Sequence, residues 1–142
     1  MEEKEVVYGI FIKATPEKIW DALTQSEFTR KYFWGTNVES DWKPGSKIRF
    51  FSDDGTTFSE GEVIKAERGK ILSQSEWMIG PDGKKGGESV ITFEIEKHGD
   101  SSKLIVTHVH SAKDHKKAMH GWEMSMSSLK SLLETGEALQ LQ

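Results

Sequence analysis

After Ser111 the apolar residues recur every three or four positions, and this pattern constrains the fold more than any other feature of the chain. The apolar residues that form this pattern are Met119, Trp122, Met126, Leu129 and Leu133. This spacing places them on one face of an α-helix, which we expect Gly136 to end. A long apolar helix face needs a cover, so the rest of the chain must supply a surface for it to pack against.

The segments before this helix alternate apolar and polar residues, as is typical of β-strands. We expect strands over residues 6–13, 47–52, 57–67, 70–78, 88–96 and 103–110. The last two of these strands form the clearest hairpin, with residues 98–101 as its turn. Residues 80–87 contain four glycines and are expected to form a long flexible loop at another hairpin tip.

Two short helices are expected between the first two strands. Thr15 is a good N-cap followed by Pro16, which predicts a helix over residues 16–23, and Ser26 can begin a second helix that continues through Tyr32. The chain is therefore expected to have an α+β fold. We expect an antiparallel sheet of about six strands to curve, and the one long C-terminal helix to lie over its concave face.

Length, charge and composition exclude several classes of protein. The 142 residues suit a single domain spanning residues 1–142, and the net charge of −4 comes without a basic stripe, so nucleic acid is not an expected partner. The chain has no cysteine, which excludes disulfides and thiol nucleophiles. The first residues are acidic and no apolar run reaches the length of a membrane span, so we expect no membrane partner and a cytoplasmic location.

Six segments of the chain carry a resemblance to a known family. They are ATPEKIWDALT at 14–24, SDWKPGSKIRF at 40–50, GEVIKAE at 61–67, VITFEIE at 90–96, LIVTH at 104–108 and GWEMSMSSLKSLLETG at 121–136. In order and spacing they resemble the bacterial relatives of the activator of the ninety-kilodalton heat-shock protein ATPase, a branch of the polyketide-cyclase/START-like superfamily. The resemblance implies a helix-grip fold with an internal cavity, but it names no ligand.

The first half of the C-terminal helix contains the strongest candidates for ligand binding. Met119, Trp122 and Met126 are adaptable or flat side chains that suit a planar apolar ligand, although the same stripe also suits an ordinary core. In helix-grip proteins this helix roofs the cavity. The resemblance therefore implies that Trp122 and Met126 line it, together with the inward strand positions Phe50, Trp77, Phe93 and His108.

The strand over residues 70–78 can face the cavity in either of two ways. Ile71, Ser73, Ser75 and Trp77 share one face, and the two hydroxyl groups would leave room and polar anchors beside the indole. If that face points to solvent instead, the serines are ordinary surface residues. Sequence alone leaves both orientations open.

A group of histidines near the end of the sheet raises the question of a metal site. A strand places His108 and His110 on one face, and His115 and His120 follow in the helix. The two helix histidines are five residues apart and diverge, whereas a closed site needs three or four converging ligands. We therefore expect no metal, and we interpret His108 as a hydrogen-bonded histidine in or beside the cavity.

The sequence lacks the common catalytic motifs. It contains no Gly-x-Ser-x-Gly nucleophile elbow and no Gly-x-x-x-x-Gly-Lys phosphate loop. Some superfamily relatives catalyse cyclisation or hydrolysis with a histidine and acids in the cavity, a role that the resemblance would give to His108 and, less readily, to Tyr8. These are too few groups for a reaction, so we expect a non-enzymatic protein with no catalytic residue and no cofactor.

The leading hypothesis is a stress-related binding protein that holds a small apolar, aromatic or lipid-like ligand in its cavity. His108 would be its polar anchor, and residues 33–37 and 80–87 would contain the gate, because their glycines permit movement. One alternative is a co-chaperone-like protein that acts on a chaperone ATPase through its outer surface. The other is a cavity enzyme of the cyclase or hydrolase type.

Overall fold

The computed structural model describes residues 3–111 and 115–141. Its elements, in chain order, are β1 (Glu3–Ile12), α1 (Pro16–Thr24), α2 (Ser26–Tyr32), β2 (Asn37–Glu39), β3 (Lys47–Phe51), β4 (Thr57–Glu67), β5 (Ile71–Ile79), β6 (Lys85–His98), β7 (Ser101–Ser111) and α3 (His115–Thr135). The expected domain of residues 1–142 therefore includes a few positions outside the described ranges. Within those ranges, no helix combines the length and apolar character needed to cross a membrane.

All seven strands join one antiparallel sheet in the order β1-β7-β6-β5-β4-β3-β2. The pairing register shifts between Phe50 and Phe51, between Val63 and Lys65, and after Trp77. Such irregularities bend strands and increase their twist, so the sheet curves around its inner face. The expected α+β architecture, with two short helices and one long helix against a curved antiparallel sheet, is confirmed.

The short strand β2 is absent from the sequence-based expectation. Residues 37–39 pair with β3, where Val38 lies opposite Phe50, and they raise the strand count from about six to seven. Three residues are too few to display a clear alternation of apolar and polar side chains. Only its pairing with β3 in the structure identifies these residues as a strand.

The hairpin between β5 and β6 has a shorter loop than the sequence predicts. The expectation of a loop over residues 80–87 is wrong for its last three residues, because β6 already begins at Lys85 and that residue lies opposite Ile79. Gly86 and Gly87 have low strand propensity, but main-chain pairing requires no side chain. The connection itself is confined to residues 80–84.

The helix α3 buries one face against the concave side of the sheet, as expected. Its buried apolar residues are Trp122, Met126, Leu129 and Leu132. Met119 departs from the predicted stripe, since its side chain is 44% exposed. None of the helix residues before Trp122 is fully buried. The cover that the sheet provides therefore begins at Trp122.

The same helix protects the free edge of β1. The Lys130 ammonium donates a hydrogen bond of 2.7 Å to the main-chain oxygen of Phe11, and the Glu134 carboxylate accepts one of 2.8 Å from the main-chain N–H of Lys13. Lys130 and Glu134 also bind each other at 2.7 Å. These contacts satisfy main-chain groups that would otherwise remain unpaired at the end of an edge strand.

Candidate functional site

The inner face of the sheet and the helices enclose a small cavity of about 20 Å³. Aromatic side chains form much of its wall: Tyr32, Phe33, Phe50, Phe93 and Trp122. A space of this size accommodates one water molecule. A larger ligand therefore requires part of the wall to move.

Two rings close the cavity on the side of the helices. Trp122 of α3 packs edge-to-face on Phe93 with their centroids 5.8 Å apart, and its centroid lies 6.3 Å from that of Phe33. Phe33 directly follows α2 and packs on Phe50 at 5.8 Å. Phe33 and Trp122 belong to different elements outside the sheet, so separating them would enlarge the cavity without breaking strand pairing.

A polar pair from β5 projects into this aromatic space. Gln74 is buried, and Glu76 keeps only a small part of its surface accessible to solvent. Burial raises the pKa of the Glu76 carboxyl to about 7, and a hydrogen bond from the Gln74 side chain opposes that rise. The cavity thus contains a carboxyl group that changes its charge near neutral pH.

The orientation of β5 decides which side chains reach the cavity. Leu72, Gln74 and Glu76 lie on the inner face, whereas Ser73 hydrogen-bonds to the Thr92 hydroxyl on the outer face. The interpretation in which the two serines and Trp77 face the cavity is therefore wrong. The sequence leaves both orientations open because each face of this strand mixes apolar and polar residues.

Trp77 lies on the outer side of the sheet. The Lys85 ammonium sits 3.9 Å from the centroid of its indole, and Trp77 pairs across the sheet with Glu88. A cation over an aromatic face is a favourable surface contact. Trp77 therefore has a structural partner of its own and does not line the cavity.

Three hydrogen-bond donors in the cavity wall are engaged within the protein, those of Thr29, Tyr32 and Trp122. The Thr29 hydroxyl donates to the oxygen of Thr36 at 2.7 Å, and the Tyr32 hydroxyl donates to the oxygen of Ala22 at 2.8 Å. Burial raises the pKa of Tyr32 well above its usual value, so the hydroxyl stays protonated.

The third donor is the indole N–H of Trp122, which binds Nδ1 of His108 at 3.0 Å. His108 lies behind Trp122 on β7 and does not itself line the cavity. Burial, followed by the nearby His110, lowers the pKa of His108 to about 4. The imidazole is therefore neutral at physiological pH and serves as an acceptor for the indole.

The remaining histidines extend this contact toward the start of α3. Nε2 of His110 lies 3.2 Å from Nδ1 of His115, and the two rings stack with their centroids 5.4 Å apart. His120 lies instead 3.9 Å from the Glu123 carboxylate. Over residues 3–111 and 115–141, no group of three or more histidine, aspartate or glutamate side chains is arranged to hold a metal ion.

The structure divides the candidate ligand-binding residues into three groups. Phe50, Phe93, Trp122 and Met126 line the cavity. His108 supports Trp122 from behind. Trp77 and Met119 lie away from the cavity, Trp77 on the outer face of the sheet and Met119 on the exposed part of α3. The part that any of these residues plays in ligand binding stays a prediction.

Only one of the two expected gate segments reaches the cavity. Phe33 belongs to the wall, and the next two residues, Trp34 and Gly35, have φ angles of 55° and 66° that reverse the chain immediately behind it. Residues 80–87 contribute nothing to the wall. Of the two segments, the structure therefore favours residues 33–37 as the gate.

A larger groove of about 610 Å³ lies on the outer side of α3. It runs between α2 and the C-terminal residues 136–141, which fold back along the helix through hydrogen bonds such as that from the Leu139 N–H to the Ser128 hydroxyl. The groove is open to solvent, and none of the predicted site residues lines it. The buried carboxyl lies in the smaller cavity.

The comparison with protein families gives one match. A family model of activator of Hsp90 ATPase homolog 1-like proteins matches residues 13–134. This range includes α1 to β7 completely and nearly all of α3, so every cavity residue lies within it. A search of curated proteins finds no match to the chain.

Several solved structures have the same fold. Protein MLL2253 from Mesorhizobium loti is 24% identical with a TM-score of 0.75, and the match covers 92% of this chain and 97% of that one. The Aha1 dimer from Colwellia psychrerythraea is 26% identical, with a TM-score of 0.74 and coverage of 95% and 99%. CalU16 from Micromonospora echinospora is 18% identical, with a TM-score of 0.73 and coverage of 94% and 78%. The helix-grip fold is thereby confirmed.

Proposed function

We propose that this chain, which belongs to the family of activator of Hsp90 ATPase homolog 1-like proteins, binds a small molecule with an apolar body between its curved sheet and α3. The observation that carries the proposal is the Glu76 carboxyl held among aromatic rings, where burial raises its pKa to about 7. An enclosed carboxyl opposes folding whenever it is charged. Groups of this kind in clefts are concentrated at functional sites.

The roles of the cavity residues follow from their positions. Phe93 and Met126 would contact the apolar body, and Trp122 with Phe33 would separate to admit it. Glu76, rather than His108, would be the polar anchor, because Nδ1 of His108 is already bound to the indole of Trp122. His108 would instead hold Trp122 in the orientation that closes the cavity.

The test is an NMR titration that follows the indole signals of the five tryptophans against aromatic, aliphatic, flavonoid and sterol-like compounds carrying acidic, basic and neutral groups. Binding in the cavity moves the Trp122 signal in a saturable way and leaves the Trp77 signal on the outer face unchanged. If no compound shifts Trp122 at millimolar concentration, or if both signals move together, the cavity is not the binding site.

A second candidate is action on a chaperone ATPase, as in the description of the family. The outer face of the sheet favours a surface role, because Val7 and Ile64 are each more than half exposed. Adding the protein to a ninety-kilodalton chaperone and measuring ATP hydrolysis tests it, with Ile64→Glu as the surface variant. An unchanged rate would remove this candidate. The absence of enzymatic activity, a stress-related role and a cytoplasmic location stay predictions.

A further inference from the structure

We propose that the occupant of the cavity carries a protonated amine on an apolar body, and that a carboxylate of the same shape is rejected. This inference rests on the proposed function and concerns the chemistry of the same site. It differs from the sequence-based expectation, in which fatty acids and other lipid-like molecules are equal candidates.

The first argument is the balance of hydrogen-bond donors and acceptors in the wall. Thr29, Tyr32 and Trp122 all donate to acceptors within the protein. The Gln74 side chain lowers the pKa of Glu76, and the ionised Glu76 carboxylate has two oxygens that accept hydrogen bonds. Once Glu76 is ionised, a ligand that brings its own donor therefore finds a strong acceptor in the wall.

The second argument is charge. No lysine or arginine lines the cavity among the residues that the structure describes. A ligand carboxylate would meet Glu76 with no cation to balance either group, which is unfavourable in an enclosed space. An ammonium group would instead neutralise Glu76 and make a charge-assisted hydrogen bond to it.

The third argument is the aromatic wall. Phe33, Phe50, Phe93 and Trp122 surround the space next to Glu76. The face of an aromatic ring attracts cations, most strongly where water is excluded. Rings and carboxyl thus favour the same class of ligand, and the rings also accept its apolar body.

Ammonium binding should be coupled to the protonation of Glu76. Tyr32 is the other titratable group in the described wall, and it stays protonated; His108, behind Trp122, is neutral over the range of interest. With a pKa of about 7, Glu76 is mostly neutral at pH 6 and mostly ionised at pH 8. Affinity for an amine should therefore rise about tenfold between pH 6 and pH 8, and binding at pH 6 should release a proton.

The experiment compares three probes of similar shape at pH 8: phenethylamine, phenylpropionate and ethylbenzene, each titrated while the Trp122 indole signal is followed. We expect phenethylamine to bind at least about tenfold more tightly than phenylpropionate, since one unfavourable charge pair in a partly enclosed site is worth 1.4 kcal/mol or more. Glu76→Gln should abolish this preference, so that phenethylamine binds no more tightly than phenylpropionate. Glu62→Gln removes the same charge from the exposed side of β4 and is the matched control, expected to behave like the wild type.

The outcomes separate this inference from the function on which it rests. If phenylpropionate binds as tightly as phenethylamine, if Glu76→Gln leaves the preference intact, or if amine affinity is the same at pH 6 and pH 8, the inference is overturned and ligand binding in the cavity still stands. If none of the three probes, and no compound of the wider panel, shifts the Trp122 signal, the proposed function fails and the inference fails with it.

Discussion

The indole N–H of Trp122 donates a 3.0 Å hydrogen bond to Nδ1 of His108 and thereby links α3 to β7. Because Nδ1 accepts, the neutral imidazole carries its proton on Nε2. Protonation of Nδ1 would remove the acceptor and place a second N–H opposite the indole donor. The contact that orients the ring closing the cavity is therefore sensitive to pH.

The stability of the protein should depend on His108 in a defined pH window. Its folded pKa of about 4 lies below the ordinary value of 6.5, so the unfolded chain binds more protons between these two values. This group's contribution to stability is therefore lost as the pH falls from 6.5 to about 4. Denaturant unfolding should show that wild type loses about 1–2 kcal/mol more over this window than His108→Gln, because the ring is only partly buried and solvent screens part of the effect.

His98 supplies the control for that measurement. It is exposed at the end of β6, so His98→Gln reports the effect of replacing a surface histidine by glutamine. If the profile of His108→Gln coincides with that of His98→Gln, burial does not hold His108 in its neutral form.

Glu76 should produce the opposite slope. Its folded pKa of about 7 lies above the ordinary value of 4.5, so the folded protein binds the extra proton and stability is lost as the pH rises from about 4.5 through 7. Glu76→Gln should therefore be more stable than the wild type by about 1–3 kcal/mol at pH 8 and nearly equal to it at pH 4. Chemical unfolding at both pH values tests this, with Glu62→Gln as the control that should show no such difference. A loss of stability in Glu76→Gln at pH 8 would contradict it.

Local sequence signals predict most of the fold. Thr15 and Pro16 mark the start of α1, where the Thr15 hydroxyl accepts the Lys18 N–H at 3.2 Å, and the spacing of Trp122 and Met126 identifies the buried face of α3. These features depend on residues close together in the chain. β2 and the start of β6 depend on a distant pairing partner, so sequence patterns do not reveal them.

The candidate site is less accessible to sequence reasoning than the fold. The resemblance to helix-grip proteins implies that Phe50, Phe93, Trp122 and Met126 line a cavity, and all four do so. Glu76 is missed, because a charged residue in a strand is normally assigned to the solvent side. One sequence feature could have drawn attention to this position. Gly61 of β4 pairs with Glu76, and a glycine inside a strand often marks a place where another backbone approaches closely.

Gly61 should be essential for folding. A Cβ atom at this position would overlap the main-chain oxygen of Ser75 in the neighbouring strand, which cannot move without disturbing the pairing of β5. Gly61→Ala should lose at least about 3 kcal/mol of unfolding free energy or fail to fold. The control is Gly9→Ala, where the nearest atom to an added Cβ is the flexible Lys103 Cε at 3.6 Å. It should be neutral or stabilising by up to about 1 kcal/mol. Equal effects of the two substitutions on thermal unfolding would refute the close approach at Gly61.

Two methionines of α3 should differ sharply in their contribution to stability. Met126 is 1% exposed and lies in the cavity wall, whereas Met119 is 44% exposed on the first part of the helix. Met126→Ala should cost about 2–5 kcal/mol and enlarge the cavity, and Met119→Ala should change stability by less than about 0.5 kcal/mol. Both substitutions raise helix propensity alike, so the difference in denaturation midpoint reports packing. Similar midpoints would mean that the sheet covers the start of α3 as well.

The contact between α3 and the edge of β1 should stabilise the protein through Glu134. A hydrogen bond from Lys130, followed by one from the main chain of Lys13, lowers the pKa of this carboxyl, so its contribution is present above the ordinary glutamate pKa and is lost as the pH falls through the lowered value. Glu134→Ala should cost about 1 kcal/mol at pH 7. Glu123→Ala, on the same helix and 3.9 Å from His120 alone, controls for helix propensity and charge. Amide hydrogen exchange at the end of β1 should accelerate in Glu134→Ala and not in Glu123→Ala. Equal exchange rates in the two variants would show that α3 does not protect this edge.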